Sequence, residues 1–193
     1  MTVAIDKKIY TFDEYLKLQE TVDQRYEYHQ GEIIEMTGGT TNHNRLALNF
    51  ATILNFATDD PQYNTFIADV KLWIASHQIA TYPDVMLIVG DPIYYGNHQT
   101  TVTNPVLIAE VLSKSTRNYD QTDKFFYYRS LPTLTEYILI DQYQYHVTQF
   151  NKTEHGKWLL SDWIGENAVL KLMTINVEIK MSDLYRKVKF DQV

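Results

Sequence analysis

The chain has no cysteine, no long apolar run and no excess of positive charge. Without cysteine there are no disulfides, no thiolate nucleophile, and no cysteine-ligated zinc or iron–sulfur centre. No apolar stretch approaches the roughly 18 residues that a membrane span needs. The opening Met-Thr-Val-Ala-Ile-Asp-Lys-Lys also lacks the apolar segment of a signal peptide. These absences set the expectation of a cytoplasmic protein with no membrane partner. The net charge of −7 supplies no general attraction to a phosphate backbone. Lys7-Lys8 and Arg186-Lys187-Val188-Lys189 are the local basic clusters, and both read as solvated ends. No repeat, low-complexity tract or linker is present, so the 193 residues read as one domain able to bury a core. Fifteen tyrosines, amphipathic and common at interfaces, favour an oligomer.

What the chain does have is one acid inside each of two apolar runs. Tyr82-Pro83-Asp84 leads into Val85-Met86-Leu87-Ile88-Val89, and Glu110 sits within Val106-Leu107-Ile108-Ala109-Glu110-Val111-Leu112. Strands so apolar are buried on both faces, where an unpaired carboxylate is costly. Neighbouring strands would bring the two carboxylates to one sheet edge, and like charges that close repel. A hard divalent ion, Mg²⁺ or Mn²⁺, removes the conflict and can activate water beside a phosphodiester. A lysine would complement that chemistry at a phosphate oxygen or the attacking water. Lys114 shares strand parity with Glu110, whereas Lys124 lies one turn after Asp120 in a helix. Spacing alone leaves both open.

Thr11-Phe12-Asp13-Glu14 has the form of a capping box opening a short amphipathic helix. Arg25 to Met36 reads as a hairpin about Gln30-Gly31, with Glu27 on its first arm and Glu32 and Glu35 on its second. The turn Gly38-Gly39-Thr40-Thr41-Asn42 leads into a helix to about Thr58, with Leu46, Phe50, Ile53, Leu54 and Ala57 as its apolar stripe. His43 falls at or beside the buried edge of that helix. Phe66 to Ile74 reads as one strand, Gly90 to Thr103 as a loop, and Asn118 to Ser130 as a helix. Strands follow at Glu136–Ile140, Tyr143–Phe150 and Lys157–Trp163, then one or two short strands within Val169–Val177 and a final helix from Ser182. Asp69 reads as a surface or ion-pair acid, and Ser113, Ser115 and Thr116 as caps of the next helix.

The sequence resembles the Uma2-like (DUF820-type) family of candidate endonucleases, found especially in cyanobacteria, within the PD-(D/E)XK nuclease superfamily. The resemblance rests on Arg25-Tyr26-Glu27-Tyr28 with Gly31-Glu32, Asn42-His43, Tyr82-Pro83-Asp84-Val85, Ala109 to Thr116, Asp120 to Lys124 with Tyr128, and Glu136 to Asp141. It implies a mixed α/β domain over residues 1–193, with a restriction-endonuclease-like mixed sheet flanked by helices and additional antiparallel strands. It also implies a homodimer. Asp84 and Glu110 would be the metal-binding acids, with Glu27 completing the catalytic set and His43 accessory. The superfamily's usual lysine position, two after the acid, holds Leu112. The resemblance therefore implies that Lys124, from the next helix, takes its place. The activity implied is Mg²⁺- or Mn²⁺-dependent hydrolysis of DNA or another nucleic acid. The alternatives are a non-catalytic interaction or nucleic-acid-binding module, and a metal-dependent hydrolase of a small phosphorylated substrate.

Overall fold

The computed structural model describes residues 8–36, 38–58, 60–114 and 116–190. The capping box forms as the sequence predicts. Thr11 Oγ1 accepts from the Glu14 backbone N–H at 3.2 Å, and the Glu14 carboxylate accepts from Thr11 N–H at 2.7 Å. Helix α1 (Phe12–Gln19) buries Phe12, Tyr15 and Leu16. Phe12 stacks on Trp73 with ring centroids 3.7 Å apart. Strands β1 (Tyr26–His29) and β2 (Glu32–Glu35) form the expected hairpin. Its turn places Gln30 and Gly31 at φ 51° and 98°. A Cβ on Gly31 would run into Ile9 Cγ2, so both sterics and the positive φ favour glycine there.

Two six-stranded sheets organise the described residues. The first has the order β2-β1-β5-β4-β8-β7, with β4 at Lys71–Ile74, β5 at Ile79–Thr81, β7 at Tyr94–Tyr95 and β8 at His98–Val102. The second has the order β12-β11-β10-β9-β6-β3. It comprises β3 (Tyr63–Ile67), β6 (Val85–Val89), β9 (Leu107–Leu112), β10 (Glu136–Asp141), β11 (His146–Lys152) and β12 (Trp158–Ile164). Strands β9 and β10 run parallel and the other pairs of that sheet antiparallel, which makes it the expected mixed sheet.

Alternation along β9 separates two cores. Leu107, Ala109 and Val111 face helix α2 (Thr41–Ala57), packing with Leu46, Phe50 and Leu54. Ile108 and Leu112 face the other way, toward Leu72, Ile74, Ile79 and Val102 of the first sheet and Tyr128. All six residues of β9 are buried, as its unbroken apolar character requires. A two-stranded ribbon, β13 (Val169–Leu172) with β14 (Val177–Lys180), and helix α5 (Met181–Leu184) extend the α2-side core.

Three elements differ from the sequence reading. The single strand expected over Phe66–Ile74 is broken into β3 and β4 by a turn at residues 68–70. Ala68 lies there at φ 43°, and Arg25 holds the turn through an ion pair to Asp69 at 2.5 Å. That pair fulfils the surface role expected of Asp69. The stretch expected as a loop, Gly90–Thr103, carries the β7–β8 hairpin, and β8 gains order by pairing in parallel with β4. The helix after β9 is not uniform: α3 (Arg117–Tyr119) and α4 (Phe125–Tyr128) flank a π-helical turn at Asp120–Lys124. In α2, Ala51 is buried and Ala57 is exposed.

Candidate functional site

Antiparallel pairing of β6 with β9 sets Val85 opposite Ala109, so Asp84, just before β6, falls beside Glu110. Each carboxylate bonds to the other strand. Asp84 Oδ2 accepts from Val111 N–H at 2.7 Å, and Glu110 Oε2 from Asp84 N–H at 3.3 Å. The N-terminal turn of α2 brings His43 Nε2 to 3.2 Å from Asp84 Oδ2. Thr40 caps that turn, its hydroxyl accepting from His43 N–H.

From the far side, Lys124 reaches Glu110. Its ammonium lies 3.0 Å from Glu110 Oε1 and 3.3 Å from Asp120 Oδ1. Tyr128, one turn later, donates to the same Glu110 Oε1 at 2.7 Å and contacts Thr81 Oγ1 at 3.0 Å. On β1, Glu27 pairs with His29 Nε2 at 3.2 Å, and Tyr119 OH lies 3.4 Å from that nitrogen. Glu27, His29, His43, Asp84, Glu110, Asp120 and Lys124 line one cavity of about 680 Å³. The structure thus brings Asp84, Glu110, Lys124, Glu27 and His43 together. Lys114 also borders the cavity, but its ammonium lies over the Tyr143 ring at 5.6 Å.

Burial pushes the Glu110 carboxyl up to about 8, and the charges of Asp84 and Asp120 push the same way; Lys124 and the Tyr128 hydrogen bond oppose them. Burial works against the Lys124 ammonium, but Glu110, Glu27 and Asp120 outweigh it and hold it well above the usual lysine range. Burial likewise disfavours ionised Glu27, yet its hydrogen bond with His29 and the charge of Lys124 keep that carboxyl below the usual value. For His43, desolvation is outweighed by the bond to Asp84, and its pKa rises.

A pH dependence follows for the metal-free protein. Glu110 keeps its proton in the folded state up to about pH 8, whereas in the unfolded chain it titrates as an ordinary glutamate near 4.5. Between those limits the folded state binds more protons, so this group's contribution to stability falls as pH rises. The metal-free melting temperature should therefore decline from pH 5 to pH 8 more steeply in the wild type than in Glu110→Gln. Parallel curves for the two proteins would contradict the assignment.

The donor set suits a hard cation in part. Two adjacent carboxylates and an imidazole offer protein ligands, and Mg²⁺ ordinarily keeps several waters. Among the described residues, however, no group of three or more His, Cys, Asp or Glu side chains converges closely enough to hold an ion by itself. Sequence pattern alone does not mark His29, Tyr119 or Thr81 and assigns Asp120 and Tyr128 no role. His29 lies two residues from Glu27 on one strand face, a spacing that flags it only once Glu27 is suspected.

The mixed sheet, flanking helices and paired acids at adjoining strands define a restriction-endonuclease-like α/β protein. A crystal structure of "a putative nuclease belonging to DUF820" from Anabaena variabilis ATCC 29413 superposes with a TM-score of 0.74 at 17% identity, covering 91% of this chain and 97% of that one. The family model Uma2, "Putative restriction endonuclease", matches residues 12–182. This chain belongs to the Uma2 family. It is similar to the proteins sll1609 and slr1290 of Synechocystis sp. (strain ATCC 27184 / PCC 6803 / Kazusa). The first is 43% identical over 92% of this chain and all of the relative, and the second 30% identical over 92% of each. Among the described residues no helix is long and apolar enough to cross a membrane.

Proposed function

We propose that this protein is a divalent-cation-dependent endonuclease that hydrolyses nucleic-acid phosphodiester bonds. The observation carrying this reading is the 3.0 Å contact between Lys124 and Glu110. Leu112, at the superfamily's usual lysine position, is buried in the core, while a lysine from the next helix reaches the same carboxylate. Asp84 and Glu110 would hold Mg²⁺ or Mn²⁺, with His43 accessory and Glu27 an outer acid. Such a cation supplies an activated water and neutralises charge developing on the phosphoryl oxygens. Lys124 orients the water or contacts a phosphate oxygen, and Tyr128 fixes Glu110 for its part in the site. A homodimer accords with the apolar edge strand β12, where Leu159, Leu160 and Ile164 are exposed.

A second reading has its own support. Among the described residues the cavity is lined by five acids (Glu27, Glu35, Asp84, Glu110 and Asp120) against the two lysines Lys114 and Lys124, which gives an extended phosphate backbone no basic rim. Its volume also suits a small molecule, which favours a small phosphorylated substrate over a duplex. Incubation with single- and double-stranded DNA and RNA, and separately with nucleotide monoesters, decides between them in Mg²⁺ or Mn²⁺. The endonuclease reading expects metal-dependent cleavage of a polymer, lost in Glu110→Ala. Release of phosphate from monoesters alone would favour the second reading, and no hydrolysis of either would overturn both.

A further inference from the structure

The π-helical turn Asp120–Lys124 is costly relative to a plain α-helix, and such turns cluster at functional positions. Asp120, Lys124 and Tyr128 are spaced by four residues: Lys124 and Tyr128 contact Glu110 at 3.0 and 2.7 Å, and Asp120 lies 3.3 Å from the Lys124 ammonium. Within this row Asp120 is anomalous. Its side chain is 3% exposed, it borders the cavity, and Oδ1 has no hydrogen-bond partner; its relation to Lys124 is proximity of charge. A buried carboxylate oxygen left without a donor costs stability, so a retained one calls for an explanation in function.

The surrounding charges supply one. Lys124 is buried beside Glu110, and a divalent cation at Asp84 and Glu110 would repel its ammonium. Tyr128 secures Glu110 but offers nothing to hold the lysine. Asp120 Oδ1 lies 3.3 Å from that ammonium with its acceptor capacity unused. We propose that Asp120 is a positioning residue: it anchors Lys124 in the cleft against the repulsion of the bound cation, leaving the ammonium able to turn from Glu110 toward a substrate phosphate. This role rests on the metal-dependent reading above and assigns Asp120 no contact with the cation.

The test is Mn²⁺ affinity, measured by calorimetry on wild type, Asp120→Asn, Lys124→Met and the double variant, each checked for folding by circular dichroism. If Lys124→Met does not fold, Lys124→Gln replaces it in the cycle. With the anchor removed, Asp120→Asn should bind Mn²⁺ about tenfold more weakly in the wild-type background and almost unchanged once Lys124 is gone, the coupling expected of charged neighbours in contact. In cleavage the same substitution should lower kcat with KM kept. An equal loss of affinity in both backgrounds would mean that Asp120 acts on the cation directly, and no loss in either that it holds nothing; both results overturn the role while leaving the metal-dependent reading intact. A wild type that does not bind Mn²⁺ removes that reading and the proposal with it.

Discussion

Lys124→Ala should reduce cleavage about 10²–10³-fold in kcat, the loss typical when one preorganised charge is taken from a transition state. It should also destabilise the metal-free protein by about 3–5 kcal/mol, because removing one partner of a buried pair strands the other. Lys124 is the cation between Glu110 and Asp120, and its charge also favours ionised Glu27. Its loss leaves these acids crowded in a buried cleft. Mn²⁺ should recover part of the lost stability by supplying positive charge, without restoring the rate. Steady-state cleavage and urea denaturation with and without Mn²⁺ measure the two effects separately. A variant that is destabilised yet cleaves at the wild-type rate would give Lys124 a purely structural place.

Glu136→Ala should be comparably destabilising for a different reason. Glu136 is fully buried at the start of β10. Its carboxylate accepts from Gln149 Nε2 at 2.5 Å, Met173 N–H at 3.2 Å and Thr174 N–H at 3.0 Å. Gln149 in turn donates to Lys171 O and accepts from Trp163 Nε1. One acid therefore ties the β13–β14 ribbon to the central sheet. Each of the three donors left unsatisfied costs at least about 1 kcal/mol, and partial rehydration keeps them near that lower end, so the total should be about 3–5 kcal/mol. Amide hydrogen exchange should quicken first in residues 169–180, while Mn²⁺ binding by the folded fraction persists. A loss below about 1 kcal/mol, the size of one ordinary net hydrogen bond, would show that water replaces the carboxylate easily.

The acid pair was legible in the sequence because a charge inside an apolar run is conspicuous, and strand parity put Glu110 on the side shared with Leu112. The choice of lysine was not legible from spacing. It depends on how the helix after β9 folds back, and it came from the resemblance; the contact with Glu110 now accompanies it. The π-turn was invisible because a four-residue spacing reads as an ordinary α-helical face. Strand alternation from Phe66 to Ile74 ran across a turn, since residues 68–70 keep the apolar–polar rhythm while Ala68 leaves the extended region. The β7–β8 hairpin was missed because its order comes from pairing with β4, a partner about 30 residues earlier, rather than from local pattern.

The proposed activity stands on Asp84 and Glu110 together forming a divalent-cation site. Calorimetric titration of Mn²⁺ into the wild type, Asp84→Asn and Glu110→Gln, at a pH above 8 where Glu110 is ionised, tests it most directly. One binding event is expected in the wild type, disappearing in both variants while their folds persist. Equal binding by all three proteins, or none by the wild type, would contradict it.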